Sequence, residues 1–256
     1  MATKDSGVGL GDWRAESLRV TLFAQAGAEL PASDWWLAVV GEPPESKTER
    51  LRESLQTMGG HLGKAKLILN VLASRVDWIV GIDPNLDQEL TESPNVGLYP
   101  EVLESFGAKI FPWLKSSPAV IRLAWGATLT QPMGDRVAGY RKLQEYLPSL
   151  KLDSEGSSDV FYQINRPRKS KVVEGLTVNR LQKWSVVALH TLQIQVGATQ
   201  AQIQRRLDQV LHGCRVELDI NTAEERTEVL PKERLGDLLQ ELVRIGDEIL
   251  TKGDIP

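Results

Sequence analysis

The apolar pattern of the chain switches repeatedly between a period of two and a period near three and a half, and each switch predicts an element. Val20, Leu22 and Ala24 alternate in LRVTLFAQAG, which predicts a strand near 18–26. The unbroken run WWLAVV at 35–40 predicts a short second strand, stopped by Gly41 and Pro43-Pro44. Leu51, Leu55 and Met58 are helically spaced and predict a helix over 46–58, ended by Gly59-Gly60. Two apolar runs follow, AKLILNVL (65–72) and VDWIVGI (76–82). An acidic loop then leads to a helix at about 98–114, with Leu98, Val102, Phe106 and Ile110 on one face.

The second half runs in a similar order. AVIRLAWGATLTQ (119–131) predicts a strand halted by Pro132, and Val137, Tyr140, Leu143 and Leu147 stripe a helix over 134–147. DVFYQINR (159–166) and a longer segment at about 176–196 predict two more strands. Ile203, Leu207, Val210 and Leu211 predict a helix over 199–212. CRVELDIN alternates cleanly, with Cys214, Val216, Leu218 and Ile220 facing in. A last helix spans about 232–251. Residues 119–222 therefore spell β-α-β-β-α-β, the order of a ferredoxin-like split βαβ unit, and 18–114 spell nearly the same. The predicted fold is α+β, with antiparallel sheets, packed helices and two ferredoxin-like halves. Its expected parts are a flexible lead-in (1–17), an N-terminal half (18–117) and a C-terminal half with a terminal helix (118–256).

Composition changes this picture little. With 256 residues, 41% apolar and 25% charged, the chain can bury a sizeable core, and a formal charge of −4 gives no reason to expect a generic polyanion binder. Local charge says more. Val76 to Ala108 holds seven acids and no Lys or Arg, whereas Phe161 to Trp184 holds six cations against Glu174 alone. An acidic and a basic surface are expected. The single cysteine, Cys214, excludes an internal disulfide framework and fits a reducing cytoplasm. The N-terminal stretch lacks the apolar core of a signal peptide, and no run is apolar enough for a membrane span, so a cytoplasmic protein is expected.

Enzymatic signatures fail one by one. GGHLGK (59–64) lacks the spacing and the Ser or Thr of a phosphate loop, and reads as a helix cap and turn. DPNLDQE (83–89) begins like a calcium loop, but Gln88 stands where glycine makes the turn and Pro94 where a bidentate Glu belongs. His190, His212 and Cys214 lack a fourth ligand for zinc. No nucleophile elbow or poised carboxylate pair stands out. A non-enzyme with no cofactor and no metal is expected.

The strongest signal is FYQINRPRKSKVVEGLTVNRLQKW (161–184). Pairing 159–166 with 176–184 leaves PRKSKVVEG as a loop and brings Asn165-Arg166 to face Asn179-Arg180. Arg168, Lys169, Lys171 and Lys183 flank them. Arginine beside asparagine offers planar donors for carboxylates, phosphates or base edges, with Tyr162 and Trp184 as stacking faces. Three readings stand together: a solvated hairpin end, a charge contact within the chain (with the acidic 77–104 region) or with a protein partner, and a nucleic-acid contact. The partner- or anion-binding set is Asn165, Arg166, Arg168, Lys169, Lys171, Asn179, Arg180 and Lys183.

Gly156, Ser157, Asp159, Gln163, Asn165, Arg166, Arg168, Ser170, Asn179, Arg180 and Trp184 carry a resemblance. Together with RLAWGATLTQ and YRKLQEYLPSL, the second half resembles a sporadically distributed family of uncharacterised bacterial proteins. These share a Ser-Asp-aromatic-x-x-Asn-Arg-Pro segment. The resemblance brings no catalytic residue. A patchy distribution implies accessory genes on mobile elements, and hence phage defence or toxin neutralisation. The expected function is an accessory subunit or regulator that docks a protein partner through the basic hairpin, the alternative being a nucleic-acid-binding module using the same residues.

Overall fold

Alternation of apolar and polar positions builds the centre of the sheet. In β1 (Arg14–Ala24), Leu18, Val20, Leu22 and Ala24 are buried, while Ser17, Arg19 and Phe23 stay partly exposed on the opposite face. The computed structural model describes residues 9–83, 93–196, 201–224 and 228–255, with the backbone alone for 191–196 and 201–209. After α1 (Ala32–Val40), a meander of β2 (Ser46–Arg50), β3 (Leu55–Leu62), β4 (Ala65–Leu72) and β5 (Arg75–Gly81) returns to pair with β1. Then come α2 (Tyr99–Trp113), β6 (Val120–Met133), α3 (Arg136–Tyr146), β7 (Phe161–Asn165), the two-residue β8 (Arg168–Lys169), β9 (Thr177–Val196), β10 (Ala201–Thr222) and α4 (Leu235–Lys252).

The strands form one ten-stranded antiparallel sheet in the order β2-β3-β4-β5-β1-β6-β10-β9-β7, with β8 added beside β9. Cross-strand register keeps one face continuous. Val20 stands opposite Trp78 and Trp125, Trp125 opposite Ile220, and Ile220 opposite Arg180. All four helices cover this face. α1 lies against β4 and α2, α2 against β1, and α3 and α4 against β6, β9 and β10. The protein is thus a two-layer α+β fold whose other sheet face is polar and carries no helix among the described residues. No described helix is long and apolar enough to cross a membrane.

All seven tryptophans lie in the core between the layers, none more than 5% exposed. Trp36 stacks on Trp78 with ring centroids 6.0 Å apart, Trp113 meets Trp78 edge-on at 5.6 Å, and Trp184 stacks on Tyr146 at 4.8 Å. These two groups of rings belong to one continuous apolar layer completed by the aliphatic side chains between them.

Four elements differ from the sequence expectation. WWLAVV is not a strand but the body of α1. Trp35, Trp36 and Val39 are buried, Leu37 faces out, and Gly41 at φ +88° closes the helix with its N–H on the Leu37 carbonyl. Residues 46–58 are not a helix but a hairpin, with 51–54 as its turn. Leu51 is 88% exposed there, so its helical spacing with Leu55 and Met58 was accidental. Gly59 and Gly60 lie inside β3 rather than capping a helix. A Cβ on Gly60 would come within 2.9 Å of the Trp36 ring, so glycine lets α1 sit down on the strand. Of the helix expected over 199–212, residues 201–212 are instead part of β10, and 199–200 lie outside the described residues. Lastly, β6 runs through Pro132 to Met133. By that point β1 has ended, and the missing N–H falls where no neighbour needs it.

Because 201–212 is strand, the β-α-β-β-α-β order of residues 119–222 is replaced by β6-α3-β7-β8-β9-β10. The sheet also runs across the seam expected near residue 117. β1 pairs with β6 from Arg14↔Thr130 to Ala24↔Val120.

Candidate functional site

The basic hairpin pairs as expected, Phe161↔Ser185 through Asn165↔Leu181. Its asparagines form a ladder on the open face. Asn165 donates from Nδ2 to Asn179 Oδ1 (3.0 Å) and accepts the Arg180 N–H (2.8 Å), while Asn179 donates to Asn221 Oδ1 (3.1 Å). These two side chains tie β7, β9 and β10 together and have little left for a ligand.

The arginines turn the other way, toward α4 and the residues after it. Asp254, with no side-chain exposure, accepts from Arg166 Nε (2.7 Å) and Nη2 (2.9 Å), from Gln182 Nε2 (2.9 Å) and from the Tyr162 hydroxyl (2.6 Å). Arg168 Nη1 donates to Glu248 Oε2 (2.9 Å). Glu241 accepts the Lys171 backbone N–H at 2.6 Å and the Ser170 hydroxyl. The intramolecular charge contact is therefore real, but its acids lie on α4 and the C-terminal segment rather than in 77–104. Arg168 and Lys169 are likewise not loop tips. They form β8, opposite Val178 and Thr177, and Lys169 Nζ reaches the Thr177 hydroxyl at 3.1 Å. Lys183 stands apart on the open face, 3.9 Å from Glu217.

Arg180 is the exception. It is 4% exposed on the helix-covered face of β9, and its Nε and Nη2 have no hydrogen-bond partner. Burial pulls its pKa below the usual arginine value, and the nearby Arg168 charge adds to this. Glu248 and Asp254 act in the opposite sense without reaching it. Those two carboxylates respond in turn. Hydrogen bonds from Arg166 hold Asp254 below the ordinary range against its burial. Burial acts to raise Glu248, but the Arg168 hydrogen bond and the charges of Arg168, Lys252 and Arg180 outweigh it and lower it. Three arginines thus share two carboxylates.

Beside this cluster a groove of about 380 Å³ runs between residues 168–171 and α4. Its carboxylates are engaged: Glu241 as above, Asp247 by the Tyr99 hydroxyl at 2.7 Å, and Glu248 by Arg168 and Lys252. The Lys171 ammonium and the Arg244 guanidinium also line the groove, and neither forms an ion pair among the described residues. Glu241, Arg244, Glu248 and Asp254 were not singled out from sequence. The available signal was the i, i+3, i+7 spacing of Glu241, Arg244 and Glu248 on one helical face.

The remaining motifs disperse. Tyr162 lies opposite Trp184, which is fully buried and hydrogen-bonded to Gln182, so it offers no stacking face. Cys214 is buried, which pushes its thiol up to about 12; His190 is exposed on β9, opposite Val210. Among the described residues no group of three or more His, Cys, Asp or Glu is arranged to hold a metal ion. Of DPNLDQE only Asp83 lies within the described residues; it sits 3.4 Å from His61 Nε2, whose ring partner Nδ1 is 2.8 Å from Glu45. No family model, curated protein or solved structure matches this chain.

Proposed function

We propose that the protein is a cytoplasmic binding protein without catalytic chemistry of its own, an accessory subunit or regulator that docks an acidic segment of a protein partner in the groove between residues 168–171 and α4. The observation that supports this reading is the uncompensated positive charge there. Lys171 and Arg244 line the groove unpaired, while every carboxylate in it already holds a donor. Arg180, buried without an acceptor for Nε or Nη2, does not line it but adds positive charge close to Arg168 and Glu248. A partner carboxylate would meet two exposed, unpaired cations, a contact that steers association and fixes register. The patchy family resemblance of the second half favours a role in phage defence or toxin neutralisation.

The test measures fluorescence anisotropy of a labelled glutamate-rich peptide and of a labelled single-stranded oligonucleotide against wild type and Lys171→Glu/Arg244→Glu. The proposal expects peptide binding that is lost in the double variant. Neither side chain holds the fold together, so melting should not change. Tighter binding of the oligonucleotide, with a log–log salt slope near −2 to −3 for about three or four contacts, would replace this reading with nucleic-acid recognition. Failure to bind either probe would refute both.

A further inference from the structure

The open face of the sheet carries a second concave site, unrelated to the groove on α4. One row of cross-strand neighbours runs through it. Ile79 of β5 stands opposite Arg19 of β1, Arg19 opposite Gly126 of β6, Gly126 opposite Asp219 of β10, and Asp219 opposite Leu181 of β9. All five border a hollow of about 380 Å³, toward the lower end of the size range of small-molecule sites.

The missing side chain at Gly126 makes the floor. A Cβ there would meet the Arg19 guanidinium, 3.3 Å from Nε and 3.4 Å from Nη2. Arg19 therefore lies flat across the glycine, and its Nε is both shielded from water and without an acceptor. On the far side of the floor Asp219 holds only the Asn221 amide, at 3.0 Å. Neither Arg19 nor Asp219 has an ion pair among the described residues. Their backbones stand two strands apart, about 10 Å at ordinary sheet spacing. The other charges of the hollow are already matched, Glu217 by Arg215 at 2.9 Å and by Lys183 at 3.9 Å. What is left is a guanidinium lying over the glycine and an anion on the next strand, with an aliphatic side chain at each end of the row.

We propose that this hollow binds a small aliphatic α-amino acid, its carboxylate on Arg19, its ammonium near Asp219, and its side chain against the Leu181 end of the row. A zwitterion is the ligand class that satisfies both unmatched charges at once. A simple anion would leave Asp219 repelling it, and a simple cation would meet Arg19 in the same way. The floor is too narrow for a bulky group directly over Gly126, since the guanidinium already occupies it.

Isothermal titration calorimetry tests this with L-leucine, isocaproate (no ammonium) and isoamylamine (no carboxylate). The expected result is that leucine binds, and that each analogue binds weaker by about tenfold or more, the usual loss when a charge-assisted contact goes. Arg19→Gln should erase the preference for leucine over isoamylamine, and Asp219→Asn the preference over isocaproate. Both positions face away from the helices, so melting temperatures should hold. Lys171→Glu/Arg244→Glu should leave leucine binding unchanged, which separates this site from the groove. An absence of leucine binding to the wild type, or selectivity that survives both single substitutions, would overturn the proposal.

Discussion

Asp254→Ala is the sharpest probe of how the hairpin is held. The carboxylate has no side-chain exposure and takes two hydrogen bonds from Arg166, one from Gln182 and one from Tyr162. Deleting one partner of a buried ion pair costs about 3–5 kcal/mol. Arg166 keeps 32% of its side chain exposed, so water recovers part of that loss and the lower end applies. Gln182 is buried and would lose its acceptor, which keeps the cost near about 3 kcal/mol. For a chain of this size each kcal/mol lowers Tm by about 2–4 °C, so the variant should melt about 6–12 °C below wild type by circular dichroism. The same carboxylate gives a pH signature. Its folded pKa is depressed, so its contribution is complete above the unfolded aspartate value of about 4 and is lost as pH falls through the folded value. The stability gap between wild type and Asp254→Asn should be flat from neutral pH to about 4 and narrow below it. A Tm drop under about 2 °C, or a gap that widens on acidification, would show that Asp254 does not hold the hairpin.

Leu218 is 4% exposed on the inner face of β10, so Leu218→Ala should cost about 2–5 kcal/mol in urea unfolding; an unchanged midpoint would remove that strand from the core. The Cys214 thiol, pushed by burial up to about 12, should resist Ellman's reagent in the native protein and react once unfolded, whereas rapid native labelling would contradict its burial. His61 should titrate above its ordinary 6.5 by proton NMR, chiefly through the hydrogen bond to Glu45 and then its charge, and Glu45→Gln should bring it down. An unshifted titration in that variant would assign the effect to Asp83 instead.

What could be read from sequence depended on how regular each segment is. The alternation at Leu18–Ala24 and Cys214–Ile220 and the helical stripes of α2, α3 and α4 all came through, because each buries one face and exposes the other. α1 did not. An apolar run with two tryptophans has no period to read, and only Asp34 near its start and Gly41 at its end mark a helix. β2 failed for the opposite reason. It is an edge strand with all five residues exposed and Lys47 paired to Glu49 at 2.8 Å, so it carries charge instead of an apolar signal. In β10 the pairing slips between Arg205 and Val210, where Leu192↔Arg205 gives way to His190↔Val210. The extra residues break the period of two, and Ile203, Leu207 and Val210 then imitate a helix. The candidate site was legible as charge but not as partnership. Nothing local to 161–184 says that Arg166 would find Asp254, 88 residues on.

The pairing of β1 with β6 also sets the order in which the chain can assemble during synthesis. β1 emerges first, and β5, its nearer partner, follows within the meander of β3, β4 and β5, whose contacts are local. Its other edge waits for Val120–Met133, and β6 then waits in turn for residues beyond His212. Contacts that close such long loops form slowly. The nascent N-terminal half therefore spends its translation time with a bare, strongly apolar strand edge, the situation in which chaperone capture or misassembly occurs. A ribosome-bound chain stalled before residue 120 should be held by ribosome-associated chaperones, and the released full-length chain should not be.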